Sequence, residues 1–238
     1  MLAILLLFIA WTANISQGIE TIKLNTTNNI ILRGVINTES ASKFIYDLNM
    51  MSEKNKTFLY LHTPGGSVVD GMKIVAEVKK HNISCIADTA FSMGFIIFQA
   101  CNNRYILPSG QLMQHQMAFG VADQKNRVEN YIEFINQMED EIVYEQASRI
   151  NISTEEFRRK ITDDWWIYGS NAVLQNCADK VVNVECSRSL TKETEIIEKG
   201  LYKYTYSKCP LVNDYIKKEQ LDKNSMSDGI FIPFFNHI

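Results

Sequence analysis

Short apolar runs alternate with stretches of helical spacing between residues 30 and 182, and this alternation restricts the fold more than any other feature. Four runs have the length of one strand: residues 30–36, 57–62, 84–87 and 104–108. Between the first three runs, segments 38–51 and 69–81 repeat apolar residues every three or four positions. Strands that alternate with helices in this way predict βαβ units, a mainly parallel sheet and therefore an α/β fold.

A longer helix is predicted after the alternating part. Residues 123–150 repeat apolar side chains at helical spacing and contain neither proline nor glycine. The spacing of Ser153 and Glu156 predicts a capping box that opens a short helix, and residues 178–182 have the composition of a last strand. A helix as long as 123–150 extends beyond a compact core, so it packs either on another subunit or along its own sheet.

Composition places the chain among ordinary globular proteins. Hydrophobic residues make up 46% and charged residues 21%, which excludes a disordered chain and a multispanning membrane protein. The formal net charge is -3, and the sequence has no basic stripe of the kind that neutralises phosphates. We therefore expect no nucleic-acid partner.

The chain has five cysteines, an odd number that leaves at least one thiol free. Cys85 and Cys101 lie in apolar runs, which predicts buried side chains that act as small hydrophobic residues. A bridge among Cys177, Cys186 and Cys209 would form in an oxidising compartment, and the sequence does not say which pair. No Cys-x-x-Cys spacing occurs, so we predict no metal and no other cofactor.

Both ends of the chain differ from its middle. Residues 1–13 are apolar, shorter than a membrane span of about 20 residues but of the length of a signal-peptide core. We predict a signal peptide or short membrane anchor at 1–18, which would direct the protein to the secretory pathway or a membrane; otherwise it is cytoplasmic. Residues 19–187 then form the main domain. Residues 188–238 are a C-terminal extension of unknown role, partly disordered or docked on a neighbour.

Three short stretches carry residues suited to acyl transfer. Ser92 precedes the apolar helical stretch 93–100, where a serine is either a helix cap or a nucleophile. The Gly65-Gly66 turn directly follows an apolar run, and His115 ends another. Serine, histidine and a glycine turn that exposes its backbone are the parts that acyl transfer needs.

The electrophilic side of such a site would use backbone N–H groups. Met93 begins the helix after Ser92, at the positive end of the helix dipole, and Gly66 has no Cβ to block a substrate. The serine also needs a base, which in turn needs an acid to orient it. His115 suits the role of base. His62 is a rival base beside the glycine turn, although its position at a strand end favours a structural role.

Four motifs stand in a defined order along the chain: Thr63-Pro64-Gly65-Gly66, Ala90-Phe91-Ser92-Met93-Gly94, Tyr105-Ile106-Leu107-Pro108-Ser109 and Met113-Gln114-His115-Gln116. In order, residue type and approximate spacing they resemble the Clp protease proteolytic subunit family of serine peptidases, from about residue 30 to residue 182. By that resemblance Ser92 is the nucleophile and His115 the general base. Gly66 and Met93 are the N–H donors of the oxyanion hole.

The resemblance also implies a third catalytic residue, an aspartate in a loop ahead of a segment with a central alanine and a later aspartate. With Ala172 and Asp179 in those places, counting back gives Asp164, and Asp163 is the alternative. The three predicted catalytic residues are thus Ser92, His115 and Asp164.

The resemblance also implies a fold and an assembly for this chain. The resemblance implies a crotonase-like α/β fold, a spiral of βαβ units with a long handle helix, and homo-oligomeric rings that enclose a chamber for polypeptide substrates. A separate ATP-driven unfoldase of the AAA+ type feeds such rings. This chain has no Gly-x-x-x-x-Gly-Lys-Ser/Thr loop, so any ATP would be used by that partner.

Three alternative functions stay open beside a Ser-His-Asp endopeptidase. The apolar leader would suit the related signal-peptide-peptidase type, a membrane-associated protease that uses serine and lysine. A crotonase-type acyl-CoA enzyme would use the oxyanion N–H groups without a catalytic triad. A catalytically silent ring subunit or scaffold would use neither. The presence of candidates for all three triad positions favours the endopeptidase.

Overall fold

The computed structural model describes residues 18–221. The predicted leader therefore lies almost entirely outside the described residues, as does the end of the extension. Within 18–221, no helix combines the length and the apolar character needed to cross a bilayer.

Strands and helices alternate over the first half of the described chain. The strands are β1 Thr21–Leu24, β2 Asn29–Arg33, β3 Phe58–Thr63, β4 Ser84–Phe91, β5 Arg104–Gln114, β6 Trp165–Tyr168, β7 Lys180–Val181, β8 Asn183–Cys186, β9 Thr194–Lys199, β10 Tyr202–Ser207 and β11 Tyr215–Gln220. The helices are α1 Thr38–Met50, α2 Val68–His81, α3 Met93–Ala100, α4 Lys125–Ile150, α5 Thr154–Lys160, α6 Asn171–Leu174 and α7 Arg188–Lys192.

The central sheet has the order β2-β3-β4-β5-β6, and β7 pairs with β5 beside this path. Strands β2 to β5 run parallel, as does β7, whereas β6 is antiparallel to β5. The expected α/β class with a mainly parallel sheet is thus confirmed. Because the carboxyl ends of parallel strands meet at one edge, the segments after β3, β4 and β5 lie close together.

The predicted helices form because each buries apolar residues in the core. In α1 the buried residues Ala41, Phe44 and Leu48 lie on one face, and Asn37 caps the helix through the N–H of Ser40. Ser153 likewise accepts a hydrogen bond from the N–H of Glu156 at the start of α5. Helix α4 is one continuous element of 26 residues.

Strand β5 is longer than the sequence predicts. The apolar run predicts a strand over 104–108, and the Ser109-Gly110 pair after it predicts a turn, but the strand continues to Gln114. The register against β4 shifts on the way, because Ala87 pairs with Ile106 whereas Thr89 pairs with Gln111. The residues expected to turn are therefore absorbed as a bulge, and the strand carries the segment that ends in His115 alongside Ser92.

The described part of the C-terminal extension, residues 188–221, folds onto its own chain. Helix α7 follows β8, and strands β9 to β11 form a separate antiparallel sheet. The guanidinium of Arg33 in β2 donates to the carbonyl oxygens of Pro210 and Val212, at 3.3 and 3.2 Å. Lys43 of α1 pairs with Glu195 of β9 at 3.4 Å.

Two disulfides are present in the described residues, and one of them corrects a sequence expectation. Cys85 and Cys101 are buried, as expected, but they are bonded to each other and do not act as separate hydrophobic side chains. Cys186 is bonded to Cys209, one of the pairs left open above, and Cys177 is a buried free thiol. The second bridge ties the extension to β8.

An ion pair between buried Arg104 and partly exposed Asp179 fixes the start of β5 to the turn before β7. The guanidinium of Arg104 contacts the carboxylate of Asp179 at 2.6 Å, and the N–H of Arg104 donates to the same carboxylate at 2.7 Å. Burial opposes ionisation of Asp179, but the hydrogen bonds and the charge of Arg104 outweigh it, so the pKa of Asp179 lies below its ordinary value of 3.8.

We predict that Asp179→Asn lowers the free energy of unfolding at neutral pH by about 1–3 kcal/mol, because Arg104 loses its counter-charge; partial exposure of Asp179 keeps the loss below that of a fully buried pair. Because the pKa of Asp179 is lower in the folded than in the unfolded protein, its carboxylate stabilises the folded state at any pH above the unfolded pKa. This stabilisation disappears as the pH falls through the pKa of the folded protein. The free energies of unfolding of the wild type and the variant, measured with urea, should therefore become equal in acid. The exposed Asp163→Asn is the control; a constant difference at all pH values contradicts the prediction.

Candidate active site

Ser92 lies at the junction of β4 and α3 in an unusual backbone conformation. Its φ is 52° and its ψ is -118°, which is rare for a residue other than glycine and costs about 1–3 kcal/mol. The N–H of Ser92 donates to the carbonyl oxygen of Met113 in β5 at 2.8 Å. The side chain occupies the N-cap position of α3 but makes no capping hydrogen bond. Its hydroxyl is therefore not engaged as a helix cap.

The glycine turn after β3 packs directly against Ser92. A Cβ placed on Gly65 would lie 2.7 Å from both the carbonyl oxygen of Phe91 and the Cβ of Ser92. A Cβ on Gly66 would lie 2.2 Å from the carbonyl oxygen of Ile36. The two glycines also have φ values of 95° and 147°. Only glycine meets both the backbone conformation and the close approach at these positions.

The backbone N–H groups of Gly66 and Met93 at this junction have no partner among the described residues, and both residues line the cavity described below. Met93 is the first residue of α3, so its N–H has no acceptor within the helix. A Cβ on Gly65 would lie 3.0 Å from the nitrogen of Met93, which shows how close the glycine turn comes to this donor. Two free donors near a serine hydroxyl are the elements of an oxyanion hole.

His115 follows β5 and is partly exposed. Its Nδ1 lies 2.6 Å from the carbonyl oxygen of Gln116. A carbonyl only accepts hydrogen bonds, so this contact assigns the proton of the neutral ring to Nδ1 and leaves Nε2 as an acceptor. That is the tautomer that a general base needs in order to take a proton from a serine.

A buried amide pair links His115 to helix α4. The side-chain nitrogen of Gln114 donates to the side-chain oxygen of Gln146 at 2.8 Å, and Gln146 donates to the carbonyl oxygen of Ile142 at 3.1 Å. The amide oxygen of Gln114 accepts from the N–H of His115 at 3.3 Å. Both glutamines are at most 3% exposed. Neither glutamine belongs to the predicted site residues; the available signal was a glutamine four residues after Ile142 on the apolar face of α4.

Ser92, Met93, His115 and Gly66 line one cavity of about 230 Å³. Apolar side chains from α2, α3 and α4 and the residues that follow His115 form much of its remaining wall, and Glu139 of α4 contributes a carboxylate. A larger cavity of about 560 Å³ lies between α2, α3 and α4 and shares only Ile96 and Gln146 with the first. It contains none of the predicted site residues.

Asp164 is not among the residues that line this cavity, and no hydrogen bond joins it to His115. It is exposed and directly precedes β6. In the antiparallel ladder of β5 and β6, Gln114 pairs with Trp165. The next pair in this register is His115 with Asp164, whose side chains would face the same side of the ladder. Asp163, also exposed, falls one position further from His115.

His62, the rival base, does not line the cavity. Its Nδ1 lies 2.9 Å from the carboxylate of Asp88. Tyr60, two residues earlier in β3, is buried among apolar residues that come in part from β1 and β8. Since side chains two apart in a strand share a face, His62 points away from the helical side of the sheet. This agrees with the structural role expected for it.

The strand ends of the α/β sheet bring together a serine in a strained turn, a histidine with a free Nε2 and two free N–H groups. This arrangement defines a candidate hydrolase site. The chain belongs to the Clp protease family, because the family model described as Clp protease matches residues 17–185. This confirms the family inferred from the four motifs. Membership assigns the chain to a family of peptidases.

One curated relative supports the same assignment. The ATP-dependent Clp protease proteolytic subunit 2 of Tropheryma whipplei (strain Twist) is 26% identical to this chain over 139 residues. The matched region covers 56% of this chain and 77% of the relative. The family match ends at residue 185, close to the predicted end of the main domain at Ser187.

We predict that Gly65→Ala lowers the free energy of unfolding by about 1–3 kcal/mol, because its Cβ would meet Ser92 and its φ would be strained. Gly120→Ala is the matched control, since nothing lies within 4 Å of a Cβ at that position. It should change stability by less than about 0.5 kcal/mol. Urea unfolding measures both variants, and equal stability of the two would contradict the tight packing described here.

Proposed function

We propose that this protein is a serine endopeptidase that hydrolyses peptide bonds through Ser92, His115 and Asp164. One observation carries the proposal: the uncapped hydroxyl of Ser92 shares a cavity with His115 and with the two free N–H groups of Gly66 and Met93. A residue that served only to start helix α3 would not need a positive φ or a hydroxyl without a capping bond.

The chemistry proceeds by acyl transfer. The Oγ of Ser92 attacks the carbonyl carbon of the peptide bond while Nε2 of His115 takes its proton. The negative oxygen of the tetrahedral intermediate accepts hydrogen bonds from the N–H groups of Gly66 and Met93. His115 then gives the proton to the leaving amine, and water hydrolyses the acyl-enzyme by the same route.

Asp164 is proposed to orient His115 and to stabilise its protonated form. In the structure Nδ1 of His115 is hydrogen-bonded to the carbonyl oxygen of Gln116. Catalysis therefore needs this partner to be replaced by the carboxylate of Asp164. The ladder register supports a local exchange, because continuing it by one pair beyond Gln114 and Trp165 would set Asp164 opposite His115. A contact with another subunit is a suitable trigger for this movement.

The finer architecture belongs to the same proposal. The fold is proposed to be crotonase-like, with α4 as the handle helix of a homo-oligomeric ring. Tyr131, Ile132 and Phe134 are exposed apolar residues in the first half of α4, which suits a contact with another copy. An ATP-driven unfoldase would deliver polypeptides to the ring. Residues 1–18, 19–187 and 188–238 are kept as the proposed leader, peptidase domain and extension.

The alternative functions are less well supported. A serine and lysine protease needs a lysine beside the serine, and none lines the Ser92 cavity in the part of the chain that the structure describes. A crotonase-type acyl-CoA enzyme would leave Ser92 and His115 without a role. A silent scaffold would not need the strained conformation of Ser92.

We expect Ser92→Ala and His115→Ala each to abolish peptide hydrolysis, and Ser92→Ala to abolish labelling by a fluorophosphonate, which reacts with activated serines. The fold should be retained, because neither side chain packs in the core. Labelling is followed by mass spectrometry, and circular dichroism and the oligomeric state are recorded on the same samples. Hydrolysis at the wild-type rate in either variant would overturn the assignment.

The choice between the two aspartates is tested by Asp164→Asn and Asp163→Asn. We expect Asp164→Asn to lower kcat by about 100-fold or more, because an amide does not stabilise the protonated ring of His115. Asp163→Asn is the matched control and should stay within about twofold of the wild type. Steady-state peptide cleavage measures both, and the reverse order of effects would assign the role to Asp163.

A further inference from the structure

One face of α4 forms a slot that leads away from the catalytic residues. Glu139, Ile142, Val143 and Gln146 follow each other at the spacing of a single helix face, and all four line the Ser92 cavity. Seven residues of α-helix rise about 10 Å, which separates Glu139 from Gln146 along the slot. Gln146 is held beside His115 through Gln114. Glu139 therefore stands at the far end of the slot.

The walls between these two ends are apolar. Val68 of α2, Ile96 of α3, Ile142 and Val143 of α4, and Ile161 all line the cavity. A volume of about 230 Å³ accommodates one long side chain. The stem of lysine or arginine buries well along such walls, provided that its charged head finds a partner at the end.

Glu139 supplies the only carboxylate among the described residues that line this cavity. Its side chain is 23% exposed, and the nearest cation, Arg158, keeps a distance of 3.9 Å. Arg158 makes its closer ion pair with Asp140. No side-chain hydrogen bond reaches Glu139 within residues 18–221, so its carboxylate remains available to a substrate cation.

On the basis of the peptidase function proposed above, we propose that Glu139 is a specificity-determining residue that selects lysine or arginine on the acyl side of the bond that Ser92 attacks. The side chain of that substrate residue enters the slot when its carbonyl carbon lies against Ser92. The aliphatic stem packs on the apolar walls, and the ammonium or guanidinium group forms a charge-assisted hydrogen bond with Glu139. Acidic side chains are repelled from the same slot.

The proposal is tested with a matched pair of peptidyl phosphonate diphenyl esters, which phosphonylate activated serines and release phenol. The two probes share one peptide and differ only in the side chain at the reacting position, lysine in one and norleucine in the other. Norleucine keeps the aliphatic stem and lacks the ammonium group. The full-length protein is treated with each probe, and the rate constant of Ser92 modification is measured by intact mass.

We expect the lysine probe to react about tenfold faster than the norleucine probe, since a partly exposed charge-assisted contact is worth about one factor of ten. Glu139→Gln should reduce the ratio of the two rates to about twofold or less. The ratio does not depend on the fraction of active protein, so a partial loss of folding does not imitate this result. Glu133→Gln, at an exposed position of the same helix, is the charge-matched control and should keep the ratio.

Arg158→Gln provides a change in the opposite direction, because it removes the cation that competes for Glu139, and it should raise the ratio. Equal rates for the two probes in the wild type, or a preference that survives in Glu139→Gln, overturns the proposal. A small fluorophosphonate without a peptide distinguishes a failure of the specificity proposal from a failure of the proposed peptidase function. If it labels Ser92 while the probe ratio is one, only the specificity proposal fails; if it does not label Ser92, the proposed function fails as well.

Discussion

The site depends on the close approach of three backbone segments after β2, β3 and β4. Ile36 donates to the carbonyl of Gly65 and accepts from the N–H of Ser67, both at 2.8 Å, so the glycine turn is held from one side. On its other side the turn meets Ser92 without room for a Cβ. Because the carbonyl of Gly65 and the N–H of Ser67 are the groups that bond to Ile36, the N–H of Gly66 between them stays free. The same packing that closes the core thus leaves two donors at the cavity.

Local patterns in the sequence were sufficient to predict the elements that surround this packing. Helices α1, α2 and α4 have clear periodicity, and Ser92 stands out because it precedes an apolar helix. The length of β5 could not be predicted, since Pro108-Ser109-Gly110 has the composition of a turn. Only the pairing with β4 and β6 turns these residues into a bulge and extends the strand to Gln114. Tertiary pairing decided between strand and turn.

Contacts between distant parts of the chain were beyond the sequence analysis. Cys85 and Cys101 become neighbours because α3 returns along β4, and hydrophobicity alone said only that both are buried. The position of residues 188–221 depends on contacts with Arg33 and Lys43, which no local pattern indicates. The ladder register, by contrast, is information that counting along the sequence lacks: Gln114 pairs with Trp165, and continuing this register favours Asp164 over Asp163 as the residue opposite His115.

Helix α4 connects the proposed subunit contact to the proposed base. Its first half exposes Tyr131 and Phe134, whereas its second half holds Gln146 in the core. From Gln146 a chain of hydrogen bonds runs through Gln114 to the N–H of His115. A buried amide left without its partner costs about 1–3 kcal/mol, so this chain resists independent movement of helix and histidine. A second copy that holds the exposed half in place would therefore also hold the backbone of His115 in place. The imidazole ring could still exchange its hydrogen-bond partner at Nδ1, from the carbonyl of Gln116 to the carboxylate of Asp164, and so complete the site.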